Sequence, residues 1–218
     1  MDLYTEKEKS YFTNIRYDIK KLIPENKSNK ILEIGCGNGS TLLELKNSNK
    51  ARYIVGIDIV NLNQEEQLDK FICCNIEEQV NNLPFSKDFF DVIICADVLE
   101  HLVDPWKVLQ ELKMYLNPDG LLIASIPNIR ELKTMVTIFL KGDFRYEDTG
   151  ILDKTHLRFF CKKNVITLFE CVGFDIKKIY GNMGRKRKLL HKLSFGVLEE
   201  FLVTQYLIVA QKATKSIR

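Results

Sequence analysis

The stretch of residues 30–41, KILEIGCGNGST, constrains the fold more than any other part of the chain. Its apolar run at residues 31–34 is typical of a buried parallel strand. The alternating glycines that follow are Gly35, Gly37 and Gly39. Residues 40–46 then have the spacing of an amphipathic helix. A strand, a glycine loop and a helix in this order predict the nucleotide-binding opening of a doubly wound α/β sheet.

The spacing of this loop narrows the class of nucleotide. A dinucleotide fingerprint needs a third glycine where this chain has Ser40, and a P-loop needs a Gly-Lys-Ser/Thr sequence that does not follow. Instead, Glu33 precedes the glycines and gives the pattern E-x-G-x-G-x-G. This pattern resembles motif I of the class I S-adenosylmethionine-dependent methyltransferases. A glycine turn in another kind of α/β protein is the alternative, since short glycine motifs give false positives.

The resemblance implies S-adenosylmethionine as the cofactor and a set of residues that bind it. These are Glu33, Gly35, Cys36, Gly37, Gly39, Asp58, Ile59, Asn75, Ile76, Asp97 and Val98. Asp58 ends the second apolar run, where a carboxylate either accepts the ribose hydroxyls or caps the next turn. Asn75 stands where the family usually has Asp, although its amide oxygen can still accept a hydrogen bond from the adenine amino group.

The resemblance also implies a Rossmann-like, doubly wound sheet of seven strands. The expected order is 3-2-1-4-5-7-6, with the last strand antiparallel, and suitable apolar runs lie within residues 28–212. We expect one methyltransferase domain over residues 1–218, with an N-terminal helix within residues 1–27. Helical insertions after strands 5 and 6, at residues 128–160 and 181–202, should form a cap on the acceptor side. Open α/β sheets bind ligands beyond the carboxyl ends of their strands, where these insertions fall.

Two further stretches extend the resemblance along the chain. The first reads LPF…FDVI…LEHL…DP, and its Asp97 is expected near the methyl group or the methionine end of the cofactor. The second, residues 153–160, reads D-x-T-H-x-R-F-F and resembles a segment of bacterial methyltransferases, several of them from sugar-modifying pathways. His156 in this segment is the expected general base toward a sugar hydroxyl. The alternative is that His156 and Arg158 only tie the insertion to the sheet.

Three other side chains are expected to bind the acceptor. Arg158 would pair with an acidic or phosphorylated group, Tyr146 would form part of the pocket wall, and His101 lies beside the end of strand 4. Asp97, Glu100 and His101 have a helical spacing of i, i+3 and i+4, which would place three metal ligands on one helix face. Asp97 already has an expected task with the cofactor, so we predict no metal site.

The composition excludes several other classes of protein. The net charge of +3 is too small by itself to argue for nucleic-acid binding. The basic run at residues 185–188 is typical of a solvated helix face, and the alternative is that it faces phosphates of a nucleotide-sugar, an acidic lipid or RNA. No apolar run approaches the ~18–20 residues of a membrane span, and the charged N-terminus has no secretory pattern. The six cysteines contain no C-x-x-C pair, which favours reduced thiols. These features predict a cytoplasmic protein. We expect it to be a monomer or a homodimer.

The expected function is methyl transfer to a small-molecule acceptor, first of all to a hydroxyl of a sugar or sugar-like metabolite. One alternative is methylation of a quinone or phenol, with a divalent metal at Glu100 and His101. A second alternative is a protein that binds S-adenosylmethionine without catalysis.

Overall fold

The computed structural model describes residues 14–62 and 66–214 of the 218-residue chain. The strands, numbered along the chain, are β1 (Lys30–Ile34), β2 (Tyr53–Asp58), β3 (Lys70–Cys73), β4 (Phe90–Ala96), β5 (Leu116–Pro127), β6 (Phe174–Asn182) and β7 (Gln205–Lys212). They form a seven-stranded sheet in the order β3-β2-β1-β4-β5-β7-β6. Only β7 runs antiparallel to its neighbours, β5 and β6. The predicted strand order and the antiparallel last strand are therefore confirmed.

The α-helices of the described residues flank this sheet and its carboxyl edge. They are α1 (Tyr17–Lys20), α2 (Ser40–Asn47), α3 (Ile76–Gln79), α4 (Pro105–Tyr115), α5 (Leu132–Lys141), α6 (Lys162–Cys171), α7 (Arg185–Leu193) and α8 (Glu199–Leu202). None of the described helices is long and apolar enough to cross a membrane. The helix predicted before β1 falls partly on residues 1–13, outside the described residues, and its described part is helical only over α1.

The core lies on both faces of the sheet. Leu32 and Ile34 of β1 pack in one cluster with apolar side chains of α4 and α6. Ile31 points to the other face and packs with residues of α1 and α2. Side chains alternate across a strand, so the apolar residues of β1 supply both layers of the core. The sheet is thereby held rigid beneath the loops at its carboxyl edge.

The chain after β4 differs from the sequence prediction. Glu100 and His101 belong to a short 3₁₀ turn, Leu99–His101, and do not begin an α-helix. Asp97 lies before this turn with a left-handed φ of 55°. Asp97, Glu100 and His101 therefore do not share a helix face, and the helical reading of this spacing was wrong. The helix begins only at α4, where the Asp104 side chain accepts a hydrogen bond from the Lys107 N–H at 3.0 Å and Pro105 is the first helical residue.

Two strand boundaries also differ from the pattern. β5 begins at Leu116, and residues 117–120 lie within it as an irregularity in its pairing with β4, where Leu116 is opposite Phe90 and Leu121 is opposite Val92. β6 continues through Asn182, so the second insertion starts one to two residues later than predicted. All six cysteines are unpaired. Cys36, Cys74 and Cys95 are buried, whereas Cys73 and Cys171 are exposed.

Candidate active site

A cavity of about 650 Å³ opens at the carboxyl edge of the central strands. Most of the residues predicted for the site line it: Glu33, Gly35, Cys36, Gly37, Asp58, Ile59, Asn75, Ile76, Asp97, Val98, His101 and His156. Gly39, Tyr146 and Arg158 are not among its lining residues. The volume is in the range of small-molecule sites. The structure thus brings most of the predicted cofactor residues to one place, together with His101 and the predicted base His156.

The loop after β1 is shaped by glycine. Gly35 has a φ of +67° and donates its N–H to the Ile57 carbonyl of β2 at 2.8 Å. A Cβ added at Gly35 would lie 2.6 Å from Cγ2 of Val98, which is closer than real contacts allow. A side chain here would therefore push the loop away from the end of β4 and narrow the cavity.

Asp58 joins the glycine loop to the end of β2. Its carboxylate accepts a hydrogen bond from the Gly37 N–H at 2.8 Å and another from the Val60 N–H at 3.0 Å. Burial raises the pKa of Asp58, and the two N–H groups oppose that rise. Each carboxylate oxygen has further lone pairs, so the group can still accept hydrogen bonds from a diol.

Glu33 is a buried acid in the middle of the parallel sheet. Its Oε2 atom has no hydrogen-bond partner among the described residues. Burial raises the pKa of Glu33 to about 8, while the Arg16 guanidinium lowers it and the Asp58 carboxylate raises it further. A buried polar atom without a partner is costly, and it marks a place where a donor or cation belongs. The ammonium group of an amino-acid ligand matches this requirement.

Asp97 is held by groups from three parts of the chain. Arg16 and the Gln205 side chain donate to its carboxylate, and the Ser125 hydroxyl donates to it at 3.1 Å. The Asp97 N–H is in turn 3.0 Å from the Ser125 Oγ. Partial burial raises the pKa of Asp97 and Arg16 lowers it. The left-handed backbone of a non-glycine residue is strained, and such strain concentrates at functional sites.

Two histidines and an acid form a cluster beside Asp97. The candidate ligand atoms of Glu100, His101 and His156 all lie within 4.8 Å of one another. The His101 Nδ1 donates to the Thr155 carbonyl at 3.0 Å, and the His156 Nδ1 donates to the Ile151 carbonyl at 2.9 Å. A proton on Nδ1 leaves the lone pair of each neutral ring on Nε2. Nε2 is therefore the atom through which either ring would accept a proton or bind a metal.

The D-x-T-H segment explains how His156 is presented. The Asp153 carboxylate accepts hydrogen bonds from the Thr155 N–H at 2.8 Å and from its hydroxyl at 2.7 Å. This closed turn places the His156 ring edge-to-face with His101, with centroids 4.7 Å apart. The N–H groups of the next two residues, 157 and 158, both donate to the Glu100 carbonyl at 2.9 Å. The segment is thereby fixed by its main chain to the turn after β4.

The cavity fits the cofactor that motif I implies. It offers an orphaned buried carboxyl oxygen at Glu33, a diol acceptor at Asp58 and a glycine loop that a Cβ would close. A family model described as a methyltransferase domain matches residues 8–179, more than half of the chain. The chain belongs to this methyltransferase-domain family. This match, together with the sheet, confirms the predicted family and its S-adenosylmethionine cofactor.

Similar proteins agree with the family and differ in their acceptors. The methyltransferase domain is 26% identical over 125 residues to a ubiquinone biosynthesis O-methyltransferase of Haemophilus ducreyi, covering 53% of this chain and 52% of that protein. It is 35% identical over 148 residues to a tRNA U34 carboxymethyltransferase of Nautilia profundicola, covering 65% and 44%. The chain spans about half the length of these relatives. Their activities and acceptors are therefore properties of those proteins and are not assigned to this chain by the match.

A solved structure shows the same fold. The crystal structure of a SAM-dependent methyltransferase from Archaeoglobus fulgidus has a TM-score of 0.67 at 16% identity, covering 94% of this chain and 95% of that one. At this identity the likeness concerns the fold alone. It supports the seven-stranded architecture of the methyltransferase domain, which was predicted from the motifs and apolar runs.

Sequence reasoning missed three residues of the methyltransferase site. Arg16, Ser125 and Gln205 all bind Asp97, and Arg16 and Gln205 line the cavity. Arg16 and Gln205 also contact each other, with an Arg16 NH2 to Oε1 distance of 3.3 Å. No motif marks them, because they come from segments far apart in the chain. The position of Gln205 at the start of the antiparallel strand was the one available signal.

Two predicted residues, Asn75 and Arg158, have other partners in the structure. The Asn75 amide oxygen caps α3 by accepting from the Glu77 N–H at 3.0 Å, so a role toward adenine would use its second lone pair. The Arg158 guanidinium donates to the Val103 carbonyl and lies 5.8 Å from the Trp106 ring. This agrees with the alternative that Arg158 ties the insertion to the sheet.

Tyr146 lies in an aromatic group away from the cavity lining. Its ring meets Phe144 edge-to-face at 6.0 Å and lies 6.5 Å from Phe159. The ring is mostly exposed. Its predicted role as an acceptor wall stays a prediction.

Proposed function

We propose that this domain transfers the methyl group of S-adenosylmethionine to a hydroxyl oxygen of a small acceptor, of the sugar or sugar-like class, with His156 as the general base. The observation that supports this most is the contact of the His156 Nδ1 atom with the Ile151 carbonyl oxygen at 2.9 Å, in a ring that lines the cavity. Because a carbonyl oxygen can only accept, we assign the proton to Nδ1 and the role of base to Nε2. S-Adenosylmethionine supplies an electrophilic methyl group on a good leaving group when it is bound.

The chain's own residues would hold the cofactor by charge and hydrogen bonds. Glu33 is assigned to its ammonium group and Asp58 to its ribose hydroxyls. Arg16 and Asp97 are assigned to the methionine end, because they supply one charge of each sign at the end of β4. The main chain at residues 35–37 approaches closely because glycine leaves room there.

The protein's own residues must align the acceptor and remove its proton. Methyl transfer in line needs the acceptor oxygen aligned and its proton removed, and a positioned imidazole does both at neutral pH. The turn closed by Asp153 and Thr155 fixes the His156 ring, so little reorganisation is required. The Ile151 carbonyl would also stabilise the imidazolium that forms, because it accepts from Nδ1–H in both states.

The lining of the cavity supports a hydroxylated acceptor. Asn14, Thr204 and Gln205 add amide and hydroxyl groups to its wall. Such groups pair with several hydroxyls of one molecule and so fix its orientation. The size of the cavity suits a small molecule better than a folded macromolecule.

The test is a product assay with purified protein and a panel of monosaccharides, nucleotide sugars and phenols. We expect S-adenosylhomocysteine release coupled to a methylated sugar hydroxyl, identified by mass spectrometry and NMR. Cofactor binding by calorimetry without any methylated product across the panel would contradict the proposal. That result would support the non-catalytic binding protein instead.

A second candidate is metal-assisted methylation of a quinol or phenol. Both carboxylate oxygens of Glu100 are buried without a hydrogen-bond partner among the described residues, and the ligand atoms of Glu100, His101 and His156 lie within 4.8 Å. Burial, with Asp97 nearby, raises the pKa of Glu100 well above its ordinary value. A divalent cation would neutralise this acid, and one carboxylate with two imidazoles suits a transition metal. A relative in ubiquinone biosynthesis agrees with this class of acceptor.

Divalent ions distinguish the two candidates. The protein is stripped with a chelator and assayed with added Mg²⁺, Mn²⁺ or Zn²⁺, beside a Glu100→Gln variant. Turnover that needs the ion in the parent protein, and loss of ion binding in the variant, would support the metal-assisted reaction. Turnover indifferent to the chelator would leave His156 as the base.

A further inference from the structure

We propose that α7 and the loop after it bind the surface of a lipid bilayer that contains anionic phospholipids. We call this region the α7 face. Its exposed members are Arg185, Lys186, Lys188, Leu189, Leu190, Lys192, Leu193, Phe195 and Val197. The α7 face is separate from the cavity lining, so this proposal does not depend on the proposed reaction.

The charge of α7 is of one sign. The nine residues Arg185–Leu193, RKRKLLHKL, contain five Lys or Arg residues and no acid. Arg187 is turned inward, where it pairs with Glu131 at the start of α5. The other four cationic side chains are exposed. Each Lys or Arg near an anionic membrane surface adds an attraction that salt screens.

The same helix exposes large apolar side chains. No residue of α7 is buried. The exposed fractions are 61% for Leu189, 67% for Leu193, 95% for Phe195 and 81% for Val197. A water-soluble surface rarely shows so many neighbouring apolar groups without a partner. Phe195 also has a left-handed φ of 50°, at the tip of the turn that follows the helix.

The helical spacing places the exposed leucines of α7 on one side of the helix. At 3.6 residues per turn, Leu189, Leu190 and Leu193 fall within an arc of roughly 100°. Lys188 and Lys192 lie on one flank of that arc, and Lys186 falls within it. A lysine at this place can extend its charged end toward phosphate while its stem stays in the apolar layer. A basic helix with an exposed apolar face is typical of interfacial membrane binding.

The charges favour a membrane over two other occupants. A second copy of the chain would place this basic surface against itself and bring cations of like sign together. A nucleic acid would satisfy the cations, but it would leave the leucines and Phe195 without an apolar partner. An anionic bilayer offers phosphates at its surface and acyl chains beneath, and so matches both halves of the α7 face.

The position of α7 links this surface to the sheet edge that carries the cavity. β6 runs in the same direction as β5, since both are antiparallel to β7, so its end at Asn182 lies at the carboxyl edge. The pair between Arg187 and Glu131 joins α7 to α5, which also exposes Phe139 and Leu140. Binding through α7 would therefore place this edge of the sheet near the bilayer.

The experiment is vesicle flotation with the full chain. Vesicles of phosphatidylcholine alone are compared with vesicles of phosphatidylcholine mixed with phosphatidylglycerol, at low and high salt. We expect binding only to the mixed vesicles, and weaker binding at high salt. The apolar variant combines Leu189→Gln, Leu193→Gln and Phe195→Asn, and the charge variant combines Lys188→Gln and Lys192→Gln. Each should weaken partitioning by about tenfold or more.

Matched controls lie at the opposite edge of the sheet. Lys27 is exposed in the turn before β1, and Met114 is exposed at the end of α4. Lys27→Gln and Met114→Gln should leave flotation unchanged. The glutamines are good helix formers and Asn tolerates the left-handed φ at position 195, so the fold should persist. Thermal melts and cofactor binding check this for every variant.

Three results would overturn the proposal. The first is no flotation with mixed vesicles. The second is flotation that the apolar variant leaves unchanged, which would show attraction by charge alone. The third is a dimer in sedimentation that the apolar variant makes monomeric, without vesicle binding by the parent protein, because the α7 face would then join two copies.

Discussion

Arg16 donates a hydrogen bond to the carboxylate of Asp97, although 81 positions separate the two residues in the chain. Through this contact the segment before β1 reaches the end of β4, and both residues line the cavity. Ser125 and Gln205 complete the arrangement around Asp97 from β5 and β7. The methionine end of the site is therefore assembled from four separate parts of the chain.

Replacing Arg16 should weaken cofactor binding. Arg16→Met removes the counter-charge of Asp97 and a donor at the methionine end, and hydrogen bonds to charged groups are worth about 1.5–3 kcal/mol. We expect the cofactor dissociation constant to rise by roughly ten- to hundredfold in a calorimetric titration. Lys20→Met is the matched control, because Lys20 also makes an ion pair, with Glu44 at 2.5 Å, outside the cavity lining. Equal affinities of the parent and Arg16→Met proteins would remove Arg16 from the site.

Replacing Asp58 should have a similar effect through the ribose. Asp58→Ala leaves the hydroxyls of the ligand without acceptors and releases the Gly37 N–H, so we expect a loss of about 1–3 kcal/mol in binding. Asp69→Ala serves as control, since Asp69 accepts from the Ile54 N–H at 2.9 Å and pairs with Lys46 without lining the cavity. It should lower the melting temperature and keep cofactor affinity. Unchanged affinity in Asp58→Ala would speak for a capping role alone.

Replacing His156 should separate chemistry from binding. His156→Asn removes the base, so kcat should fall by about 10²–10⁴ while the cofactor dissociation constant barely moves. The chain has three histidines, and His191 lies in α7, away from the cavity lining. His191→Asn should therefore retain turnover. If His156→Asn instead lost thermal stability with intact turnover, the residue would be a structural tie.

Glu33 should make the stability of the ligand-free protein depend on pH. Its pKa is about 8 in the folded chain, above the 4.5 of an ordinary glutamate. Between these values the folded state binds more protons than the unfolded state, so stability falls as pH rises, by up to about 1.4 kcal/mol per unit. Glutamine does not titrate, so the free energy of unfolding of the Glu33→Gln variant relative to the parent should rise from about pH 5 to about pH 8, the window between the two pKa values. Denaturant unfolding of both proteins across this range measures the difference, and parallel curves would refute the assignment.

The residues of the site that the sequence placed together are close to one another along the chain. Glu33, the glycine loop and Asp58 lie within one strand–loop–helix–strand unit, where spacing along the chain fixes spacing in the structure. The sheet order followed from the family resemblance and the positions of the apolar runs. These features depend on residues close in sequence, so a sequence pattern contains them.

The parts that were missed depend on contacts between distant segments. Glu100, His101 and His156 were each noticed, but the close approach of His156 to the other two follows from the main-chain bonds of residues 157 and 158 to Glu100. The grouping of Asp97, Glu100 and His101 as metal ligands assumed a helix, and the left-handed backbone of Asp97 rules out that helix. The charge of Arg158 did not predict its partner, the Val103 carbonyl, because a surface arginine donates to carbonyl groups as readily as to ligands.

The attachment of residues 157 and 158 through their N–H groups has a consequence for redesign. Main-chain bonds to the Glu100 carbonyl do not depend on which side chains the segment bears. A chimera could therefore receive this stretch from another methyltransferase and dock it in the same way, while motif I remains untouched. If this segment presents the base as we propose, the transplant would exchange residues that face the acceptor. Proline at either of these two positions would remove one of the main-chain donors, so such a transplant must avoid it.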